Sequence, residues 1–111
     1  VVLERGVDAF GARSGLVARL DRARGVLVPI GMRGYAPEVE ARFREVPLDG
    51  PFAVAAVLRD GDALWLRDAA ETVRRFPGLG TVYRAGGFVA TAALPLVGGD
   101  GAPFGALAFH Y

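Results

Sequence analysis

Residues 92–109, AALPLVGGDGAPFGALAF, decide the fold of this 111-residue chain. Two apolar segments flank residues 98–101, where three glycines and an aspartate favour a tight turn. Alternate residues of the second segment share one face, namely Ala106, Ala108 and His110. The stretch therefore predicts an antiparallel hairpin of two strands, residues 88–97 and 103–111.

A second hairpin is predicted near the beginning of the chain. Residues 12–20 alternate as a strand does, and residues 26–32 form an apolar run of strand length. The polar segment between them, residues 21–25, ends in a glycine, which suits a short hairpin loop. Before this hairpin, residues 1–9 resemble the last turns of a helix.

The middle of the chain predicts short helices and short strands. Pro37 suits the first turn of a helix, and Asp68 suits an N-cap because Glu71 follows three residues later. The predicted elements are a helix from Pro37, an extended piece at 44–48, a helix at 52–59, a strand at 63–67, a helix from Asp68 to about Phe76 and a helical turn at 81–85.

A doubly wound parallel sheet requires regular strand–helix alternation, which is missing. We therefore predict an α+β domain with an antiparallel sheet of about five to six strands and helices on both faces.

Composition limits the chemistry of the chain. It contains no cysteine, which excludes disulfides, thiolate catalysis and cysteine-bound metals. The 13 basic and 12 acidic side chains give a net charge of +1, which argues against a nucleic-acid-binding surface. All the basic residues are arginine, and lysine, asparagine and glutamine are absent, which indicates a GC-rich bacterial genome.

The sequence also predicts a soluble, cytoplasmic domain. No apolar run reaches the ~18–20 residues that span a bilayer. Charged residues interrupt the N-terminal region, so no signal peptide is predicted. The chain begins without methionine and stops within a strand pattern, so we expect a single domain, residues 1–111, cut from a longer protein.

Four segments together resemble the GAF family. They are RGYAPEVEARFREVPLD (33–49), PFAVAAVLRDGDALWLRD (51–68), RRFPGL (74–79) and AALPLVGGDGAPFGALAF (92–109). The resemblance implies a sheet in which the first and last strands are neighbours, helices from the chain ends on one face, and short middle helices over a small-molecule pocket on the other. It also implies a regulatory, non-catalytic sensor in a bacterial signalling protein, often a homodimer formed through the terminal helices. PAS domains are a related alternative, but the strand between the middle helices favours the GAF interpretation.

Specialised GAF branches are recognised by residues that this chain mostly lacks. Bilin-binding members and GAF-fold methionine-sulfoxide reductases use cysteine, and the cyclic-nucleotide branch carries an Asn-Lys-Phe-Asp-Glu signature. For haem binding, His110 is the only histidine available as an axial ligand. We expect it instead to be a solvated or capped residue near a strand end.

The remaining candidates are aromatic residues that could line an apolar pocket, namely Phe52, Trp65, Phe76, Tyr83 and Phe88. The alternative is that they simply form the core. The carboxylates Asp60, Asp62, Glu38 and Glu40, and the arginines Arg74, Arg75 and Arg84, are expected at turns and on the surface. The sequence thus leaves two functions open, a small-molecule sensor without a metal or assigned cofactor and an interaction module that binds no ligand.

Overall fold

A computed structural model describes residues 11–111 as one antiparallel sheet with four helices. The strands are β1 (Ser14–Asp21), β2 (Val26–Arg33), β3 (Val46–Pro47), β4 (Leu64–Leu66), β5 (Thr91–Val97) and β6 (Pro103–His110). The helices are α1 (Pro37–Arg42), α2 (Ala53–Asp60), α3 (Ala69–Arg75) and α4 (Leu79–Gly86). The strand order is β3-β2-β1-β6-β5-β4. The predicted α+β class is confirmed, and the helix predicted at residues 1–9 lies outside the described residues.

Both predicted hairpins are present, and they join at the centre of the sheet. β1 pairs with β2, β5 pairs with β6, and β1 pairs with β6, all antiparallel. The first and last strands are therefore neighbours, as the family resemblance implies. The register aligns the start of β1 and the start of β5 with the end of β6, which brings their terminal residues to one end of the sheet.

Local sequence signals account for most helix boundaries. The Asp68 carboxylate accepts a hydrogen bond from the Glu71 backbone N–H (3.0 Å), so the predicted cap of α3 is confirmed. Gly61 and Gly87 end α2 and α4 in the left-handed conformation that glycine adopts without strain.

The structure corrects the prediction between residues 81 and 97. The helical turn expected at 81–85 is a complete helix, α4, and β5 begins at Thr91 rather than at Phe88. The Phe88 N–H donates to the Tyr83 carbonyl (3.1 Å), so Phe88 belongs to the end of α4. Its ring consequently folds back into the core, where it is 5% exposed.

The core lies between one face of the sheet and the four helices. The inward face of β5 and β6 carries small side chains, including Ala93, Ala106 and Ala108, and α2 packs against these two strands. Leu27 of β2 and Val57 of α2 are fully buried in the same cluster. Within residues 11–111, no helix has the length and apolar character needed to cross a membrane.

Candidate functional site

Three buried polar residues lie side by side across the sheet and form what we call the polar row. His110 of β6 pairs with Ser14 of β1 on one side and with Thr91 of β5 on the other. The three residues are only 0–3% exposed. A buried polar side chain is costly unless it is hydrogen-bonded, so the contacts of each member decide what the row can do.

One side of the row is linked by hydrogen bonds. Thr91 Oγ1 lies 2.8 Å from His110 Nδ1, and the Tyr83 hydroxyl of α4 bonds to the same Thr91 oxygen. One proton arrangement uses each group once: Tyr83 donates to Thr91, and Thr91 donates to Nδ1 of a neutral His110. We call Tyr83, Thr91 and His110 the partnered side.

The other side of the row has two hydroxyls that are not satisfied. The oxygens of Ser14 and Tyr35 are buried, and neither has a hydrogen-bond partner in the described part of the chain. Burial raises the pKa of the Tyr35 phenol well above its ordinary value, and hydrogen bonding from the neighbouring Ser14 hydroxyl to the ionised phenol offsets part of that rise. The two hydroxyls thus lie close together, but their geometry does not complete a hydrogen bond between the neutral groups. We call Ser14 and Tyr35 the open side.

Tyr35 reaches the row because Gly34 turns the chain immediately after β2. Gly34 has φ +81°, and a Cβ atom at this position would collide with the Arg13 carbonyl oxygen and the Ser14 backbone. Only glycine therefore allows this close approach of β2 to β1. The turn directs the Tyr35 ring inward until it meets the edges of Phe88 and His110.

His110 is packed among aromatic rings rather than solvated. Its imidazole stacks on Phe88, with ring centroids 5.2 Å apart and an angle of 21° between the planes. Burial lowers the pKa of His110 to about 4, so the imidazole is neutral at pH 7. The expectation of a solvated His110 is therefore wrong, because the rings of Tyr35, Tyr83 and Phe88 cover its side chain on the sheet face.

A small cavity lies against the polar row, between the sheet and the helices. Its volume is about 40 Å³, and its polar lining consists of Tyr35, Thr91 and His110. The apolar lining comes from Leu16, Met32, Val39, Phe43, Val46, Phe52, Ala53, Val54, Leu79, Val82 and Ala108. The cavity is thus apolar with one polar end, which is the usual composition of a ligand site, but it is far below the usual ~300–1,000 Å³.

The predicted pocket residues separate into three groups. Phe52 lines the cavity, whereas Phe76, Tyr83 and Phe88 are buried in the surrounding core. Trp65 does neither, because it is 66% exposed and lies at a surface groove beside Ala92 of β5. The prediction that Trp65 lines the pocket is corrected by strand alternation, since Leu66 next to it takes the inward position in β4.

Sequence reasoning missed Ser14, Tyr35 and Thr91. Ser14 and His110 lie near opposite ends of the chain, yet the pairing of β1 with β6 places them directly across from one another. Small residues on a strand face did not reveal the inner side, because Ala93 shares a face with Thr91 while Ala92 on the opposite face is equally small and also buried.

The charged candidates occupy the surface, as expected. Arg74 lies 3.8 Å from Glu71 on α3, and Arg75 lies over the Phe76 ring at 5.1 Å. Within residues 11–111 no group of three or more His, Asp or Glu side chains could hold a metal ion. A haem does not fit beside His110, because the cavity holds only about 40 Å³.

Comparison with known proteins identifies the architecture. The sequence matches no family model and no curated protein sequence. The structure is similar to the GAF domain region of a putative membrane protein from Geobacter sulfurreducens PCA, with a TM-score of 0.77, 16% identity, and coverage of 98% of this chain and 70% of that one. The GAF domain of an Acinetobacter phosphoenolpyruvate-protein phosphotransferase gives a TM-score of 0.74, 14% identity, and coverage of 98% of this chain but only 60% of that one.

A third similar structure has a named ligand site. It is the NreA protein from Staphylococcus aureus mutated in its nitrate binding site, with a TM-score of 0.75, 15% identity, and coverage of 98% of this chain and 81% of that one. These similarities confirm that the chain has the GAF-domain fold.

Proposed function

We propose that this chain is a regulatory, non-catalytic sensor domain of a bacterial signalling protein and that it binds a small molecule non-covalently. The observation that carries the proposal is the cavity against the polar row. Its wall includes the Tyr35 phenol, whose buried oxygen has no partner among the described residues. A buried hydroxyl without a partner costs about 1–3 kcal/mol, and a ligand that bonds to it recovers this free energy on binding.

The route into the cavity supports the same proposal. Met32, Tyr35, Phe43 and Phe52 line it and are only half-buried, so they form its solvent side. The Phe43 and Phe52 rings meet edge to face at 5.3 Å and come from the segments on either side of β3. Rotation of these side chains would admit a ligand without breaking the sheet, because it changes side-chain torsions and leaves the backbone hydrogen bonds of the strands in place.

The fold fits this role. GAF domains similar to this one occur in a phosphotransferase and in a putative membrane protein, and the similar NreA protein has a nitrate binding site. By analogy, the present domain would regulate an effector in the same polypeptide, such as a sensor kinase, a phosphatase or a transcription regulator, in the cytoplasm. A homodimer formed through the terminal helices belongs to the same proposal.

The test is to fill the cavity and compare binding with a matched variant. Ala108 lines the cavity, whereas Ala106 lies two residues away on the same face of β6 and does not. A panel of metabolites, gases and small ions is screened against wild type, Ala108→Val and Ala106→Val by two-dimensional NMR. We expect a saturable binder of the wild type and of A106V that A108V fails to bind.

A second function, an interaction module that binds no ligand, is favoured by the volume of the cavity. A space of about 40 Å³ is within the range of packing imperfections in an ordinary core. This alternative predicts that no compound in the panel perturbs the cavity amides and that A108V preserves stability. Both results together would replace the sensor proposal with the interaction module.

A further inference from the structure

We infer that the cavity recognises a very small uncharged molecule that carries a hydrogen-bonding oxygen, and that the Tyr35 hydroxyl is the group that binds this oxygen. The inference rests on the proposed sensor function and specifies the chemical class of its ligand. Three features of the site lead to it: the charge of the lining, the volume of the cavity and the hydrogen bonds that are still unmade.

The lining contains no charged side chain. Its polar members are Tyr35, Thr91 and His110, and the rest are apolar. His110 faces Ser14, Thr91, Tyr35, Tyr83 and Phe88, none of which carries a charge at pH 7. The Arg13 guanidinium contacts the Phe88 ring and donates to the Gly87 carbonyl, and it does not line the cavity. An anion or cation would lose its hydration here without gaining a counter-charge, so a neutral ligand is favoured.

The volume limits the ligand to a few atoms. An engineered cavity of about 150 Å³ holds benzene, which corresponds to roughly 25 Å³ for each heavy atom. On this scale, 40 Å³ accepts a molecule of about one to two heavy atoms. Ligands of this size reach at best dissociation constants of roughly 6 mM, because binding free energy is limited per atom.

The unmade hydrogen bonds select the polar group of the ligand. Tyr83 and Thr91 already bond to one another, and Thr91 also bonds to Nδ1 of His110, so these two hydroxyls have little left to offer. The Ser14 hydroxyl lies beside that of Tyr35 and is placed to donate to its oxygen, which still leaves the Tyr35 O–H as a donor for a ligand oxygen. A ligand oxygen at this position completes the open side, while its short apolar part contacts the rest of the lining.

The test titrates the domain at pH 7 with methanol and ethanol as neutral probes, sodium nitrate at constant ionic strength as the charged probe, and xenon as an apolar probe. Binding is read from the backbone amide shifts of Ser14, Tyr35, Thr91 and His110. We expect saturable shifts with one or both alcohols, with a dissociation constant in the millimolar range, and no site-specific saturation with nitrate.

Two matched variants identify the recognising group. Tyr35→Phe removes the unpartnered hydroxyl and is expected to weaken alcohol binding by about fivefold, the effect of one hydrogen bond. Tyr83→Phe removes a hydroxyl that does not line the cavity and should leave alcohol affinity within a factor of two. Xenon, which accepts no hydrogen bond of this kind, should bind wild type and Y35F equally.

The outcomes separate the inference from the proposed function. Saturable nitrate binding at these amides, or alcohol binding unaffected by Y35F, overturns the neutral-ligand inference but leaves a sensor. Xenon binding without alcohol binding also overturns the neutral-ligand inference and leaves a sensor. It would show that the cavity is accessible but that the Tyr35 hydroxyl does not bind a ligand oxygen. If no probe binds because ordered water stays in the cavity, the neutral-ligand inference fails. If, in addition, no compound of the metabolite panel binds, the sensor function is rejected.

Discussion

The two tyrosines on either side of the Phe88–His110 stack have nearly the same surroundings but opposite hydrogen bonding. Tyr35 and Tyr83 both meet the Phe88 ring edge-on at 6.3 Å, and they meet the His110 ring edge-on at 5.6 and 6.0 Å. The Tyr83 hydroxyl is bonded to Thr91, whereas the Tyr35 hydroxyl has no partner in residues 11–111. Ring packing therefore does not account for the difference.

The difference separates structural from binding roles. A satisfied network stabilises one arrangement of the core, and removing any member leaves another group unpaired. An unsatisfied hydroxyl beside a cavity adds nothing to the stability of the free protein but can bind an incoming molecule. We therefore assign a structural role to Tyr83, Thr91 and His110 and a recognition role to Tyr35, and four predictions test this assignment.

The largest expected effect is loss of stability in acid through His110. Its pKa is lowered from 6.5 to about 4 in the folded protein, so between these values the unfolded chain binds a proton that the folded one does not. The contribution of neutral His110 to the free energy of unfolding is complete above pH 6.5 and is lost as the pH falls to 4. The total loss is about 3 kcal/mol. Urea unfolding from pH 7 to pH 4 measures this loss.

Because the chain has a single histidine, NMR of its imidazole gives the pKa directly. A His110→Gln variant isolates this loss from the titration of carboxylates, which the variant retains. A pKa near 6.5 in the folded protein would contradict the buried, neutral His110 on which the partnered side depends.

The next effect is expected from Thr91→Val, which keeps the side-chain shape but removes the oxygen shared by Tyr83 and His110. Two buried groups then lose a partner, so the free energy of unfolding should fall by about 2 kcal/mol. Thr72→Val is the matched control. Thr72 is equally buried, but its hydroxyl bonds only to the Asp68 carbonyl, which also accepts the Thr72 N–H. Equal losses in the two variants would show that Thr91 has no network role.

A smaller effect is expected from Tyr83→Phe. This change removes one hydrogen bond, but Thr91 keeps its bond to His110, so the loss should be about 1 kcal/mol. Urea unfolding gives the value. In a double-mutant cycle with T91V, the two losses should be strongly non-additive because they share one bond. Additive losses would mean that Tyr83 and Thr91 are not coupled.

The smallest effect on stability, and the sharpest contrast, is expected from Tyr35→Phe. Removing a buried hydroxyl without a partner relieves its desolvation but also removes its packing contacts, so the free protein should gain only about 0.5 kcal/mol. The same chemical change would thus stabilise the domain at residue 35 and destabilise it at residue 83. A loss above about 1 kcal/mol in Y35F would show that Tyr35 has a structural partner.

Local patterns predicted the elements of the fold well. Alternation predicted that Ala106, Ala108 and His110 share one strand face, and the structure places that face inward. Capping chemistry placed the start of α3 at Asp68. These signals involve residues close together in the chain, where spacing alone determines which side chains share a face.

The site was less predictable because its residues come from distant segments. Phe52 was predicted to line the pocket and does, but Trp65 was assigned to the wrong side. Alternation shows that two neighbouring residues face opposite ways, yet it does not show which face receives the helices. Ser14, Tyr35 and Thr91 had no recognisable sequence pattern. Their role in the site depends on His110 lying between Ser14 and Thr91 in the sheet, which sequence spacing does not reveal.

By itself, the sequence determined the α+β class, the two hairpins and the GAF resemblance, because turn residues, caps and hydrophobic period act over a few positions. Only the tertiary structure decided the polar row, which depends on the register of two strands against β6. Ser14 of β1 is about a hundred residues from His110 in the chain, and Thr91 of β5 is about twenty residues from it. It also decided the volume of the cavity and the contrast between Tyr35 and Tyr83. Those properties arise from how helices and sheet close on one another, and no local segment contains that information.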